Sequence, residues 1–396
     1  MHIILFDDPT FRINLLPFTY TRPVGAIRVG IVTLQEKWAK QTLLPVSFYT
    51  EAYLQKKYPM QMGSENVFIN ASLLPNATVW KAIQGLQPGE ALKKEGVMLA
   101  ARVHGEAVKS FDVADVKWRE VAYAEEAELI RDPWDIFSKN AAQIRYDFAQ
   151  LTQGRKSAGV NDRYTMVYGE ENIFVEEGAD IKAAVLNASE GPIYIGKNAQ
   201  VQEGALIKGP FALCEGSVVN MGGKMRGDTT VGPYSKVGGE ISNSVIFGYS
   251  NKGHDGFLGN SVIGEWCNLG ADTNTSNLKN NYANVKLWSY SKKGFKDTGL
   301  QFCGLMMGDH SKCGINTMFN TGTVVGVSAN VFGDGFPRNF IPSFAWGGAA
   351  GFTGYQLKAA MEVAERVMAR RKKMFDETEQ EILSHVFELS AEYRKF

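Results

Sequence analysis

The stretch that decides the fold runs from residue 195 to 238. Written in sixes it reads IGKNAQ VQEGAL IKGPFA LCEGSV VNMGGK MRGDTT VGPYSK VG. The first letter of each group is apolar without a miss: Ile195, Val201, Ile207, Leu213, Val219, Met225, Val231 and Val237. A helix repeats near 3.6 residues and an ordinary strand every 2, so neither produces a strict six. A parallel β-helix does, because each flat face takes about six residues and sends one side chain inward to a continuous core. Glycine follows several inward positions (Ile195-Gly196, Val231-Gly232, Val237-Gly238), where it is expected to supply the φ/ψ freedom of a corner. The period resumes at Ile263-Gly264 and Leu269-Gly270, and again at Met307-Gly308, Cys313-Gly314, Phe319, Val325-Gly326 and Val331. Between these runs lies a polar segment, about 273–298, expected to project from one coil as an arm.

The chain divides into three regions on this reading. Residues 1–165 form an α/β domain with a linker helix: strands at His2–Phe6, Val46–Tyr49, Val67–Asn70 and Gly96–Val103, helices at Gly30–Lys40 and Ile136–Leu151. Residues 166–345 form a left-handed parallel β-helix with the insertion at about 273–298. Residues 346–396 form a C-terminal segment with one long helix over Tyr355–Tyr393, in which Met361, Ala364, Met368, Ile382, Val386 and Leu389 recur at helical spacing. The basic run Arg370-Arg371-Lys372-Lys373 reads as a solvated helix face, with an anion site as the alternative.

Composition narrows the function. Basic and acidic residues balance at 42 each, so bulk charge argues for neither nucleic acid nor an anionic membrane surface. No run approaches the ~20 apolar residues of a membrane span, and the first residues lack a basic leader and a cleavage site. Four cysteines without C-x-x-C spacing argue against a disulfide framework or a zinc site. Zinc hydration chemistry would need three converging histidines, and the repeats hold only His254 and His310. A cytoplasmic protein is expected.

The best candidate for chemistry is Lys252-Gly253-His254-Asp255-Gly256-Phe257. A solenoid of this kind has little internal room, so ligands bind outside it, and a histidine on a glycine-flanked turn can act as a general base near neutral pH. A surface histidine bonded to a carbonyl is the bland alternative. The stretch from Gly253-His254 through Leu258-Gly259, Ile263-Gly264, Asn268-Leu269-Gly270-Ala271 and Thr273 to Asn277 resembles the acetyltransferase half of the GlmU family, bifunctional enzymes of nucleotide-sugar synthesis. The resemblance implies His254 as the base, Asn268 beside it, Asn277 as the residue that orients it, and backbone at Gly270 and Ala271 meeting an acyl-CoA donor such as acetyl-CoA. Lys252, Phe257 and Lys279 are candidates to bind the substrate, with Phe257 standing where the family has a tyrosine and the family's later lysine not in place after Asn277. The family's arginine after Pro-Phe-Ala, which meets the sugar phosphate, is missing: Pro210-Phe211-Ala212 runs into Leu213-Cys214. Lys224, Arg226 or Lys252 could replace its charge.

The N-terminal phrase Leu15-Leu16-Pro17-Phe18-Thr19-Tyr20-Thr21-Arg22-Pro23, with Arg28-Val29-Gly30, is similar to sugar-phosphate nucleotidyltransferases. The family's glycine-rich phosphate loop is here Thr10-Phe11-Arg12-Ile13-Asn14, and its Asn-Gly-Asp is Asn70-Ala71-Ser72. In place of these lost elements, Arg12, Arg22 and Arg28 could bind phosphate, and Asp7 and Asp8, at the end of the first strand, could hold Mg2+ with a nucleoside triphosphate. The order of regions, with Pro133-Trp134-Asp135-Ile136 and Pro342-Ser343-Phe344-Ala345-Trp346-Gly347-Gly348, resembles GlmU-like proteins of Bacteroidetes type, which are described as sugar nucleotidyltransferases.

Three functions stay open on the sequence. One is acyl transfer from acyl-CoA to a sugar phosphate or nucleotide sugar, with His254 as base. A second is nucleotidyl transfer in the N-terminal domain. The third is a non-catalytic scaffold that binds sugar nucleotides. A homotrimer is expected, as solenoids of this kind usually trimerise, with no nucleic-acid or membrane partner.

Overall fold

The computed structural model describes residues 1–104 and 118–396. The chain forms two bodies. The first comprises Met1–Leu15, Thr21–Ile27 and Val32–Asp132; the second comprises Leu16–Tyr20, Arg28–Ile31 and Pro133–Phe396.

The first body is a six-stranded mixed sheet of β1 (His2–Phe6), β2 (Val46–Tyr49), β3 (Glu65–Asn70), β4 (Glu90–Lys94), β5 (Val97–His104) and β6 (Arg119–Ala122). Their order is β2-β1-β3-β5-β4-β6, parallel across β2-β1-β3 and antiparallel where β5 meets β3 and β4. Ile4, Phe6, Phe68, Ala91, Met98 and Ala101 form one of its core clusters. Asp8 caps the short helix α1 (Pro9–Asn14), its carboxylate accepting from the N–H groups of Thr10 and Phe11. The helix expected from Gly30 begins at Leu34 instead. Gly30 has φ +81°, outside helical space, and a Thr33–Glu36 capping box starts α2 (Leu34–Thr42). A third helix, α3, spans Ala77–Gln84.

The second body is built around the left-handed parallel β-helix. Its coils stack into three parallel sheets, and all eight inward residues of the 195–238 stretch are at most 2% exposed. Register runs Ile195–Leu213–Val231–Ile246–Ile263 up one face. The step from Val231 to Ile246 is 15 residues where the preceding ones are 18, and this shortened coil is what breaks the period of six after Val237. Ile241, Ile246 and Leu258 occupy the inward places there. So does Lys252, paired with Val237 on the coil beneath and 1% exposed.

The corner glycines have a different cause from the expected one. A Cβ on Gly232 would lie 1.9 Å from the carbonyl oxygen of Phe247, and one on Gly238 2.4 Å from that of Gly253. Close approach of the next coil excludes side chains at these places. Left-handed backbone falls elsewhere, often on non-glycine residues: Tyr234, Tyr249, Trp266 and His310, with φ between 54° and 62°, stack ring on ring up one corner.

The arm starts later than expected. Asn274–Thr275 still forms a rung, pairing with Met318–Phe319, and the projecting hairpin pairs Lys286–Ser289 with Gly294–Asp297. Two helices, α4 (Pro133–Ser138) and α5 (Asn140–Thr152), replace the single one expected from Ile136, and they pack with the coils. After the last coil, Ala345–Gly348 and Gly351–Gly354 form an antiparallel hairpin. The long C-terminal helix is in fact two, α6 (Leu357–Ala369) and α7 (Glu377–Leu389), with Asp376 capping the second. Ala364, Met368, Ile382 and Val386 of the apolar stripe read from sequence are buried within this body, whereas Met361 is half-buried and Leu389 is exposed. No helix among the described residues is long and apolar enough to cross a membrane.

Candidate functional site

His254 stands exposed on a bend that follows the inward Lys252 and projects from the edge of the coils. The bend is fixed from below. The ammonium of Lys252 donates to the carbonyl oxygens of His254 (2.6 Å) and Asp255 (2.8 Å). The Asn220 amide donates to the Gly253 carbonyl at 2.7 Å. Three consecutive carbonyls are thereby satisfied at a turn without regular structure. Burial pulls the Lys252 ammonium below its ordinary range, opposed by Asp255. Lys252 therefore does not present its charge to a ligand; it positions the histidine turn.

Beside the bend lies a groove of about 540 Å³. His254, Asn268, Gly270 and Ala271 line it, so four of the residues nominated from sequence converge. Gly270 donates its N–H to the Cys313 carbonyl (3.1 Å), part of the coil ladder, and so offers none to a ligand. The other nominated residues are not among its lining. Phe257 and Asn277 flank Gly259 together, with the Asn277 amide donating to Asn260 Oδ1 at 2.8 Å. Lys279 donates to the Asn284 carbonyl within the arm (2.9 Å).

One wall of the groove comes from the run for which sequence reasoning favoured a solvated face over an anion site. Arg370 and Arg371, read as part of a solvated helix face, line the groove, and Lys236 and Asn251 do as well. Arg371 donates to Asn251 Oδ1 at 3.2 Å, and the Asn251 amide reaches Asn268 Oδ1 at 3.4 Å. The available signal was four consecutive bases at the end of an amphipathic helix, but nothing in the sequence says which coil that helix covers.

The nominated N-terminal residues are engaged elsewhere. Asp7 is buried and accepts from Arg12 (2.8 Å), from the Val24 N–H (2.8 Å) and from Thr50 Oγ1 at 2.5 Å. Arg12 also reaches the Tyr53 hydroxyl (3.0 Å) and Glu51 (3.5 Å), and is itself 8% exposed. Burial raises the Asp7 carboxyl and Arg12 opposes that rise. An arginine held this way is a structural ion pair rather than a phosphate clamp. Arg22 is 3% exposed. Arg28 belongs to the second body, where its guanidinium donates to the carbonyls of Phe247 (3.2 Å) and Ile31. Asp7 and Asp8 do not fit Mg2+: the first faces a guanidinium and the second caps α1. Among the described residues no group of three His, Cys, Asp or Glu could hold a metal ion.

Residues 3–156 match the family model described as sugar nucleotidyl transferase. Among curated proteins, the chain is 27% identical to the uncharacterized acetyltransferase YaiX of Escherichia coli O6:K15:H31 over 143 residues, 36% of this chain and 61% of that one. It is 36% identical to the bifunctional protein GlmU of Methanocaldococcus jannaschii over 87 residues, 22% and 21% of the two chains. It is 29% identical to a bifunctional sugar-1-phosphate nucleotidylyltransferase/acetyltransferase of Sulfurisphaera tokodaii over 170 residues, 42% and 40%. Over parts of its length the chain is thus similar to GlmU proteins. It spans less than two thirds of the length of each of these three relatives. The nucleotidyltransferase family match falls on the N-terminal region, whereas the groove lies on the coils.

Proposed function

We propose that the coils catalyse acyl transfer from an acyl-CoA to an amine or hydroxyl of a sugar phosphate or nucleotide sugar, with His254 as general base. The observation that carries this reading is an exposed histidine, on a turn pinned by a buried lysine, at a groove lined by Asn268, Ala271 and three cations. The imidazole takes the proton from the acceptor as its nitrogen or oxygen attacks the thioester carbonyl. The C–S bond breaks, and the CoA thiol leaves with a proton. With the Gly270 N–H committed to the ladder, the N–H of Ala271 is the one of that pair to meet the developing oxyanion. Phe257 and Asn277, off the groove lining in one copy, would complete the site from a neighbouring copy in a homotrimer. The bifunctional and acetyltransferase relatives support this assignment. The test is thiol release from acetyl-CoA across a panel of amino-sugar phosphates and nucleotide sugars: one acceptor should release thiol in the wild type and fail to in His254→Ala. Mixed trimers of His254→Ala and Asn277→Ala chains should regain part of the activity if the sites are shared.

The family match over residues 3–156 favours a second reading for the N-terminal domain, nucleotidyl transfer or nucleotide-sugar binding. Its phosphate loop is replaced by the short helix α1, and its candidate cation and carboxylate are paired with each other. Binding without turnover is therefore the form we propose. Pyrophosphate release from nucleoside triphosphates with Mg2+ and a sugar 1-phosphate would overturn that form.

A further inference from the structure

The groove beside His254 carries a charge imbalance that the acyl-transfer reading does not use. Its lining includes Lys236, Arg370 and Arg371 and no carboxylate. Arg370 and Arg371 come from the turn that ends α6, and the helices on either side of that turn are anchored by buried Met368 and Ile382. Two adjacent guanidinium groups at one wall repel each other, and Arg371 is lowered by burial and by Arg370. Arg371 donates to the neutral Asn251 side chain at 3.2 Å. Cations gathered without a counter-charge in a concave site favour an anion there. A guanidinium meets phosphate with two parallel N–H donors, which suits arginine more than lysine.

Other cations that could serve the coils are placed differently. Lys252 lies under the histidine turn on two carbonyls. Arg226 is paired with Glu240 at 3.0 Å, and with Lys224 it lines a separate hollow on another face. We infer that Arg370 and Arg371 form the phosphate-binding wall of the His254 groove, holding a phosphate of the donor or of the acceptor. Asn251 is a positioning residue that links Arg371 to Asn268. The inference rests on the groove being the site of reaction, and it adds the class of group bound opposite the base.

The test uses the full chain and isothermal titration with pyrophosphate, comparing wild type, Arg370→Gln/Arg371→Gln, and Lys372→Gln as an exposed neighbour outside the groove lining. Each arginine should contribute about tenfold in affinity, the scale of one charge-assisted hydrogen bond. The double variant should lose about a hundredfold, Lys372→Gln should change little, and wild-type binding should weaken as salt rises. Unchanged pyrophosphate affinity in the double variant, or no binding by the wild type, overturns the wall. Titration of CoA against pantetheine, and of an amino-sugar phosphate against the free amino sugar, then names the source: the pair whose phosphate-dependent gain vanishes in the double variant. Arginine-dependent pyrophosphate binding without any thiol release would leave the wall standing and remove the acyl-transfer reading.

Discussion

The Nζ of Lys252 lies 2.6 Å from the carbonyl oxygen of His254, so a lysine inside the coil stack holds the turn that carries the proposed base. Neighbouring coils place Val237 and Leu269 at the corresponding inward points. Substituting a polar group into an apolar column carries a desolvation cost, which its two carbonyl partners offset.

Replacing Lys252 by methionine keeps length and restores apolarity, but it leaves the His254 carbonyl without that donor, while the Asp255 carbonyl keeps only the Asp272 N–H at 3.0 Å. The expected loss is about 1–3 kcal/mol of stability. Denaturant titration measures it. Acyl transfer should fall mainly in kcat, because the base is displaced while the groove wall stays in place.

Removing the imbidazole itself should act differently. His254→Ala should lower acyl transfer by ~10²–10⁴-fold, the usual worth of general-base catalysis. Its side chain is exposed, so the melting temperature should stay within experimental error of the wild type. A fall in melting temperature as large as that of Lys252→Met would assign His254 a structural role instead.

Corner geometry gives a paired test. In Gly232→Ala the new methyl meets the Phe247 carbonyl at 1.9 Å, so the coil spacing must open, at about 1–3 kcal/mol. In Gly314→Ala the nearest atom is the Phe332 Cβ at 3.5 Å, ordinary contact, and the variant should melt close to wild type. Thermal unfolding of the two variants side by side checks the contrast.

Lys312 supplies a pH prediction. Burial holds its ammonium down to about 8, against an ordinary 10.5. Between those values the unfolded chain keeps a proton that the folded chain has released, so this group's contribution to stability rises with pH. Measured against Lys312→Met, the stability difference should shift in favour of the wild type from about pH 8 to 10.5, at no more than about 1.4 kcal/mol per pH unit. A flat difference across that window would contradict the assignment.

The buried pair of Asp7 and Arg12 should be costly to break from one side. Arg12→Ala leaves a carboxylate 4% exposed without its cation, and about 3–5 kcal/mol is expected from such a loss. Urea unfolding of the full chain would show whether the transition that includes the N-terminal body moves by that amount.

Much of this architecture is determined by the chain locally. A period of six with apolar residues in register leaves few folds other than a stacked coil, and the eight positions from Ile195 to Val237 are all in the core. Strand alternation and the apolar stripes of the C-terminal helices are local properties too. His254 was legible as a histidine on a glycine-flanked turn, while Asn268, Gly270 and Ala271 were nominated by resemblance to the GlmU family, and the coils bring all four to one groove.

What the tertiary structure alone decided depends on distance across the chain. The shortened coil after Val237 shifts the repeat and turns Lys252 inward, changing a candidate ligand contact into a support for the histidine turn. Arg371 reaches Asn251 across 120 positions of sequence, and no periodicity encodes that meeting. Asp7 and Arg12 are near in sequence, yet their pairing depends on Val24 and Thr50 closing around the carboxylate. Local pattern sets which side chains turn inward, because burial repeats with the backbone. Which charges meet is set by packing, because a side chain finds its partner only after the helices and coils have docked.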